Sequence, residues 1–211
     1  MSIAVDISVS LDGFVAGPNQ SDETPLGEGG EQLHEWAYPL RTFEEMHGRS
    51  GGKTGVDDDV LAEGYESVGA VVMGRNMFGG GSGDWDPAWK GWWGDDPPFG
   101  TPVFVLTHHP RESLEMKGGT TFQFVTEGPD AALEGALAAA GEKDVLVAGG
   151  AEAIQGCLAT GRVDEIQLHV TPLLLGGGAL LFEGVGSDIE LEQVRAIGSS
   201  AVSHLKYRVL K

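Results

Sequence analysis

The sequence predicts an α/β fold, a mainly parallel central sheet flanked by helices and completed by an antiparallel hairpin near its C-terminal end. Two observations carry this expectation. From Val56 onward, apolar strand-like runs alternate with helix-like segments, the pattern of crossover connections between parallel strands. From Val163 onward, three strand-like segments follow one another without a helix, which suits an antiparallel finish to the same sheet. The chain shows no internal repeat and no linker between two cores, so its 211 residues are expected to form one domain.

The elements can be justified in order. "IAVDISVS" alternates, with Ile3, Val5, Ile7 and Val9 on one face and Ala4 and Ser8 on the other. The long loop "LDGFVAGPNQSDETPLGEGG" follows. "EQLHEWAYPLRTFEEMHG" has helical spacing through Leu33, Trp36, Leu40 and Phe43, although Pro39 should break or kink it. "VDDDVLAEGYESVG" reads as a helix whose first-turn acids suit the helix dipole. The strands "GAVVMG" and "TPVFVLTHHP" enclose "FGGGSGDWDPAWKGWWGDDPPFG", an irregular insertion of a length usual for functional or mobile loops. Then come the strand "TTFQFV", the helix "PDAALEGALAAAG" with Gly141 as its stop, the strand "DVLVAGG" and the helix "AEAIQGCLATG". "VDEIQLHVTPLL", "DIELEQVRAIG" and "SAVSHLKYRVLK" are the closing strands.

Composition narrows the function. A hydrophobic content of 41% supports a substantial core, and 32 acidic against 13 basic residues give a formal charge of −19. Such a surface repels nucleic acid and anionic lipid. No segment approaches the roughly eighteen apolar residues of a membrane span, and no basic-then-apolar leader opens the sequence, so a cytoplasmic location is expected. The lone Cys157 excludes a disulfide framework and a multi-cysteine zinc site; it is expected to pack as a small apolar residue beside Ile154 and Leu158. No metal is expected.

Ligands of open α/β sheets bind beyond the carboxyl ends of the strands, and three of these ends are unusual. "VVMGRNMF" offers Gly74 for close approach and Arg75 at the start of a short helix. "VFVLTHHP" presents Thr107, His108 and His109, with Arg111 nearby. "VLVAGGAEA" presents Gly149, Gly150 and Ala151 before a helix. Together they place backbone donors, guanidinium, hydroxyl and imidazole groups along one edge, which would suit a ligand with several phosphates. Each group also has a plain structural reading: glycines as a turn, Arg75 as a surface or ion-paired arginine, His108 and His109 as a loop pair. The spacing fails the Rossmann G-x-G-x-x-G pattern. "HGRSGGKTG" imitates a phosphate-binding loop, yet His47 stands where its leading glycine belongs and no strand precedes it. The run Asp57 to Asp59 is explained by a helix first turn without a bound cation.

The order of "SLDGFVAG", "VVMGRNMF", "PVFVLTHHP", "VLVAGGAEAIQGCLATGRVDEIQLHVTPLLLGGGALLF" and a last hairpin resembles the dihydrofolate reductase-like superfamily. It is most similar to stand-alone homologues of the riboflavin-biosynthesis reductase domain. The resemblance implies NADPH as cofactor, with Gly74 and Arg75 meeting its phosphates and Asn76 and Met77 continuing that helix start. It puts Thr107 and His108 near the adenosine phosphate. Gly149, Gly150 and Ala151 would cradle the pyrophosphate, with Glu152 and Ile154 on the following turn.

The implied reaction is hydride transfer to a C=N or C=O of a small pteridine- or pyrimidine-like heterocycle; the alternative is a nucleotide-binding protein of the same fold without turnover, acting as sensor or carrier. Asp12 in "SLDG" matches the family's Ser-x-Asp-Gly pattern and is the candidate for a substrate contact or proton relay, or else a turn residue with Gly13. The residues leave open whether Glu35, Glu44 or neither supplies the carboxylate that dihydrofolate reductases place on their first long helix. Trp36, Trp85, Trp89, Trp92 and Trp93 either line a pocket or anchor the insertion. The family also implies a homodimer through the C-terminal strands.

Overall fold

A computed structural model describes residues 1–211. In chain order its strands are β1 (Ile3–Ser10), β2 (Phe14–Ala16), β3 (Val68–Gly74), β4 (Pro102–Leu106), β5 (Leu114–Glu115) and β6 (Thr121–Val125). They continue with β7 (Asp144–Gly149), β8 (Glu165–Thr171), β9 (Ala179–Leu180), β10 (Glu190–Gly198) and β11 (Ser203–Leu210). The helices are α1 (Arg41–Met46), α2 (Val56–Glu66), α3 (Arg75–Phe78), α4 (Pro129–Ala140) and α5 (Ala151–Ala159).

Nine strands form one sheet in the order β10-β11-β8-β1-β7-β3-β4-β6-β5, and β2 pairs with β9 beside it. From β8 across to β6 every pairing is parallel. β11 joins β8, β10 joins β11 and β5 joins β6 antiparallel. The expected parallel core and antiparallel finish are both present.

The first face of the sheet carries the largest apolar cluster, where Ile3, Val5, Val72, Phe104, Val145 and Val147 meet Leu133, Ala136, Ile154 and Leu158 of α4 and α5. The alternation of β1 puts its isoleucines and valines here, and the alanines of α4 let that helix lie close to the sheet. Cys157 is fully buried in this cluster, where burial pushes its thiol up to about 12, so it behaves as the small apolar residue expected.

The second face is divided. One apolar cluster gathers Val71, Met73, Val103, Val105, Phe122 and Leu146 under Phe78 and the insertion. Another gathers Trp36, Ala37, Leu40, Leu61 and Val202. Pro39 breaks the expected helix: Gly30–His34 forms a 3-10 turn, and α1 starts only at Arg41. The first long helix is therefore α2, not the segment that carries Glu35 and Glu44. Glu35 is exposed, and Glu44 pairs with Arg49. The run from His47 to Gly55 is loop apart from the bridge of Lys53 to Leu40. No helix is long and apolar enough to cross a membrane.

Candidate cofactor site

The carboxyl ends of β1, β7, β3 and β4 lie side by side because these strands are adjacent and parallel. Met73 is in register with Gly149, which brings the ends of β3 and β7 together. A Cβ on Gly74 would lie 3.3 Å from Ala153, 3.6 Å from the Gly150 nitrogen and 3.8 Å from the Gly149 oxygen, so the two backbones nearly touch. Gly149 has φ +131°, and a Cβ there would sit 3.2 Å from Ile7 and 3.6 Å from the Met77 sulfur. Only glycine reaches this conformation without strain.

Gly150 differs from both. Its φ is −71°, an ordinary value, and a Cβ on it would meet nothing within 4 Å. It caps α5, whose first-turn N–H groups have no side-chain cap, and the place its Cβ would take is open space. A side chain at this position would project over the start of α5, and the backbone donors of a helix first turn suit a pyrophosphate.

Several expected residues take other places. Asn76 and His108 are exposed at the rim, and Ala151 is buried at the start of α5. Glu152 is exposed in the first turn of α5, where its carboxylate competes with any anion for the same helix end. Thr107 is buried, accepts from the His109 N–H at 3.1 Å and donates its own N–H to Val125, so it shapes the turn after β4. Ile154 is fully buried in the core under α5, which removes its side chain from any ligand.

Arg75 and Arg111 converge on one aromatic ring. The Arg75 guanidinium lies 3.7 Å from the centre of Trp85, and that of Arg111 lies 5.0 Å from it. Arg75 donates to the carbonyls of Gly80 and Gly83, at 3.4 and 2.6 Å, and Arg111 to that of Trp89. Buried Nε and Nη1 of Arg75 and Nη1 of Arg111 keep no partner. Burial lowers both guanidinium pKa values, but both stay charged. The insertion holds Arg75 and Arg111 together around Trp85.

The tryptophans of the insertion anchor it. Trp85 donates to the His109 carbonyl at 2.8 Å and packs edge-on to Phe78 and Phe124. Trp89 donates to the Phe78 carbonyl at 3.3 Å, and Trp93 lies against Phe99 and Phe122. Trp36 belongs to the other cluster and donates to Ser8 Oγ at 3.0 Å.

Asp12 staples two loops. Its carboxylate accepts from Ser10 Oγ at 2.6 Å and from the N–H groups of Leu175 and Gly176, at 3.1 and 2.7 Å. The Ser10 hydroxyl, followed by these amides, holds its carboxyl below the usual carboxylate range. A folded-state pKa below the unfolded one contributes stability that is present above the unfolded value and is lost as pH falls through the folded value. Asp12→Asn should therefore flatten the acid limb of stability between about pH 5 and 2. Urea midpoints of the two proteins across that range check this; parallel curves would contradict it.

A mixed sheet with this strand order, and a glycine-lined edge where its parallel strands end, define a dihydrofolate reductase-like fold. The chain belongs to the RibD C-terminal domain family, whose sequence profile matches residues 1–203. Curated protein sequences yield no significant match. Among solved structures, a protein from Shewanella sp. PV-4 assigned to riboflavin biosynthesis is 22% identical, with a TM-score of 0.65 and 100% of both chains covered. Dihydrofolate reductase from Enterococcus faecalis, solved in complex with NADP(H), is 14% identical, with a TM-score of 0.55, covering 100% of this chain and 97% of that one. The diaminohydroxyphosphoribosylaminopyrimidine deaminase/5-amino-6-(5-phosphoribosylamino)uracil reductase of Thermotoga maritima is 16% identical, with a TM-score of 0.58; the match covers 99% of this chain and 56% of that one. At these identities the likeness is one of fold.

Proposed function

We propose that the protein is an NADPH-dependent reductase that transfers a hydride to a small pteridine- or pyrimidine-like heterocycle. The observation that carries this reading is the cradle at Gly74, Gly149 and Gly150, open above the first turn of α5. Membership of a reductase family and the NADP(H) complex of the Enterococcus relative support the same cofactor.

In this reading the α5 amides and Gly150 hold the pyrophosphate, and Gly74 and Gly149 let it approach the backbone. Arg75 and Arg111 supply positive charge for the remaining phosphate in a chain that is otherwise strongly acidic, and His108 stands at the rim. Met77 and Ile7 flank the gap beside Gly149 as apolar wall. When bound, NADPH supplies the hydride; the protein orients it and excludes water. Asp12 serves this site by holding the loop at Leu175 and Gly176 beside the end of β1. We also read the protein as a cytoplasmic homodimer. The uncovered β10 edge, with Leu191 and Val194 exposed, is the surface that supports pairing, and sedimentation velocity measures it.

Calorimetric titration with NADPH and NADH, followed by NADPH oxidation with a panel of dihydropterins and aminopyrimidines, tests the reading. Preferential binding of NADPH together with turnover of one panel member is expected. Tight binding without turnover across the panel would instead favour a carrier or sensor, and no binding would overturn the cofactor assignment.

A further inference from the structure

Beneath Trp36 on the second face runs a strip of buried polar side chains: Ser8 and Ser10 of β1, Gln167, His169 and Thr171 of β8, and His204 of β11. Asp6 belongs to it, since it shares the alternation of Ser8 and Ser10. At its centre is an unbroken chain of four ionisable groups. Asp6 Oδ1 lies 2.7 Å from His169 Nε2, His169 Nδ1 lies 2.6 Å from His204 Nδ1, and His204 Nε2 lies 3.0 Å from Asp57 Oδ1. The two imidazoles are 3% and 0% exposed, the two carboxylates 14% and 20%. Trp36 covers both rings, with centroids 4.6 and 5.2 Å away.

Proton counting sets the state of this chain. Three contacts join four groups, and each contact needs one proton between its two heavy atoms. Two neutral imidazoles bring two protons. If both point them at the carboxylates, the two Nδ1 lone pairs face each other at 2.6 Å in a buried site, an arrangement that costs what any unpaired buried polar contact costs. A third proton between the rings satisfies all three contacts, and the two flanking carboxylates balance its charge.

We propose that Asp6, His169, His204 and Asp57 form a buried proton store, which holds one proton more than two neutral histidines supply. It refills through the cavity of about 80 Å³ that reaches Asp6 between α2 and strands β1, β3, β7, β8, β10 and β11. α2 makes room for the Asp6 carboxylate with Gly64, where a Cβ would come within 2.7 Å of Asp6 Oδ2.

Burial first, opposed by the Asp57 hydrogen bond, lowers the pKa of His204. Burial, and then the charge of His169, push His34 down to about 4. On α2, burial and the Asp6 charge raise the Tyr65 hydroxyl, which keeps it neutral. Across the cavity, Glu63 is occupied by Arg195 and Lys206, so neither cation is free to displace the proton.

Nuclear magnetic resonance of the ligand-free protein labelled with 15N-histidine, at about pH 8, counts the protons directly. One of the two rings should show both nitrogens protonated, with a strongly downfield Nδ1 proton coupled between His169 and His204. Two neutral rings in the wild type would overturn the proposal. Asp6→Asn and Asp57→Asn keep a hydrogen-bond acceptor but remove a balancing charge, and each should lower the midpoint for losing the shared proton by about one pH unit or more. Unchanged midpoints in variants that keep the native circular dichroism would also overturn it. None of the resonance measurements uses NADPH or substrate, so a wild type that turns over nothing would sink the reductase reading and leave the proton count standing on its own result.

Discussion

Gly150→Val should abolish NADPH binding, weakening it by at least about a hundredfold, while the protein stays folded. The backbone at Gly150 already has a φ of −71° that valine adopts, and a Cβ there would meet no protein atom within 4 Å. That open space is where the pyrophosphate would meet the first-turn amides. Losing two charge-assisted hydrogen bonds at about 1.5 kcal/mol or more each amounts to about two orders of magnitude in affinity. Calorimetry beside circular dichroism checks both halves, and unchanged affinity would remove the cradle assignment. Gly149→Val is the less informative variant: at φ +131°, facing Ile7 at 3.2 Å, it would cost about 1–3 kcal/mol of folding stability as well as binding.

Phe78→Ala should be the most destabilising single truncation around the insertion, at about 3–5 kcal/mol. Phe78 is fully buried at the end of α3. It makes edge-on contacts with Trp85, Phe122 and Phe124 at centroid distances of 4.9 to 5.8 Å, and its carbonyl receives the Trp89 indole N–H. Removing the ring leaves a cavity where the insertion meets β6, and frees the loop that holds Arg75 and Arg111. Denaturant unfolding measures the loss, and the phosphate-dependent share of NADPH affinity should fall with it. A change under about 1 kcal/mol would show that the loop is held elsewhere.

The sheet was largely legible because its signals are local. The alternation of β1, the glycine stop after α4 and the apolar runs of β3, β4 and β7 each determine an element without help from distant residues. The short strands β2, β5 and β9, two or three residues each, carry no periodicity and exist only because partners lie beside them. The segment from Gly30 to Met46 kept helical spacing, but Pro39 won over the pattern.

At the site, the glycines were legible because they need special backbone geometry or close approach, which the sequence states outright. Arg75 and Arg111 were legible as cations, but not as partners of Trp85, since that contact spans the insertion. The chain from Asp6 to Asp57 was missed altogether. Its members come from β1, α2, β8 and β11, and only strand pairing puts His169 opposite His204. The available signal was a carboxylate and two serines sharing one side of β1, an unusual load for a strand in mid-sheet.

The split second face also governs how the molecule opens. Apolar contacts under the insertion and those around Trp36 are separate buried clusters, joined through the half-buried Tyr65 that packs against both. Backbone amides of the two regions should then exchange with deuterium at rates that vary independently, each region breathing as its own cooperative unit above the common layer built by α4 and α5. Loosening one side to admit a ligand would leave the other side's protection intact.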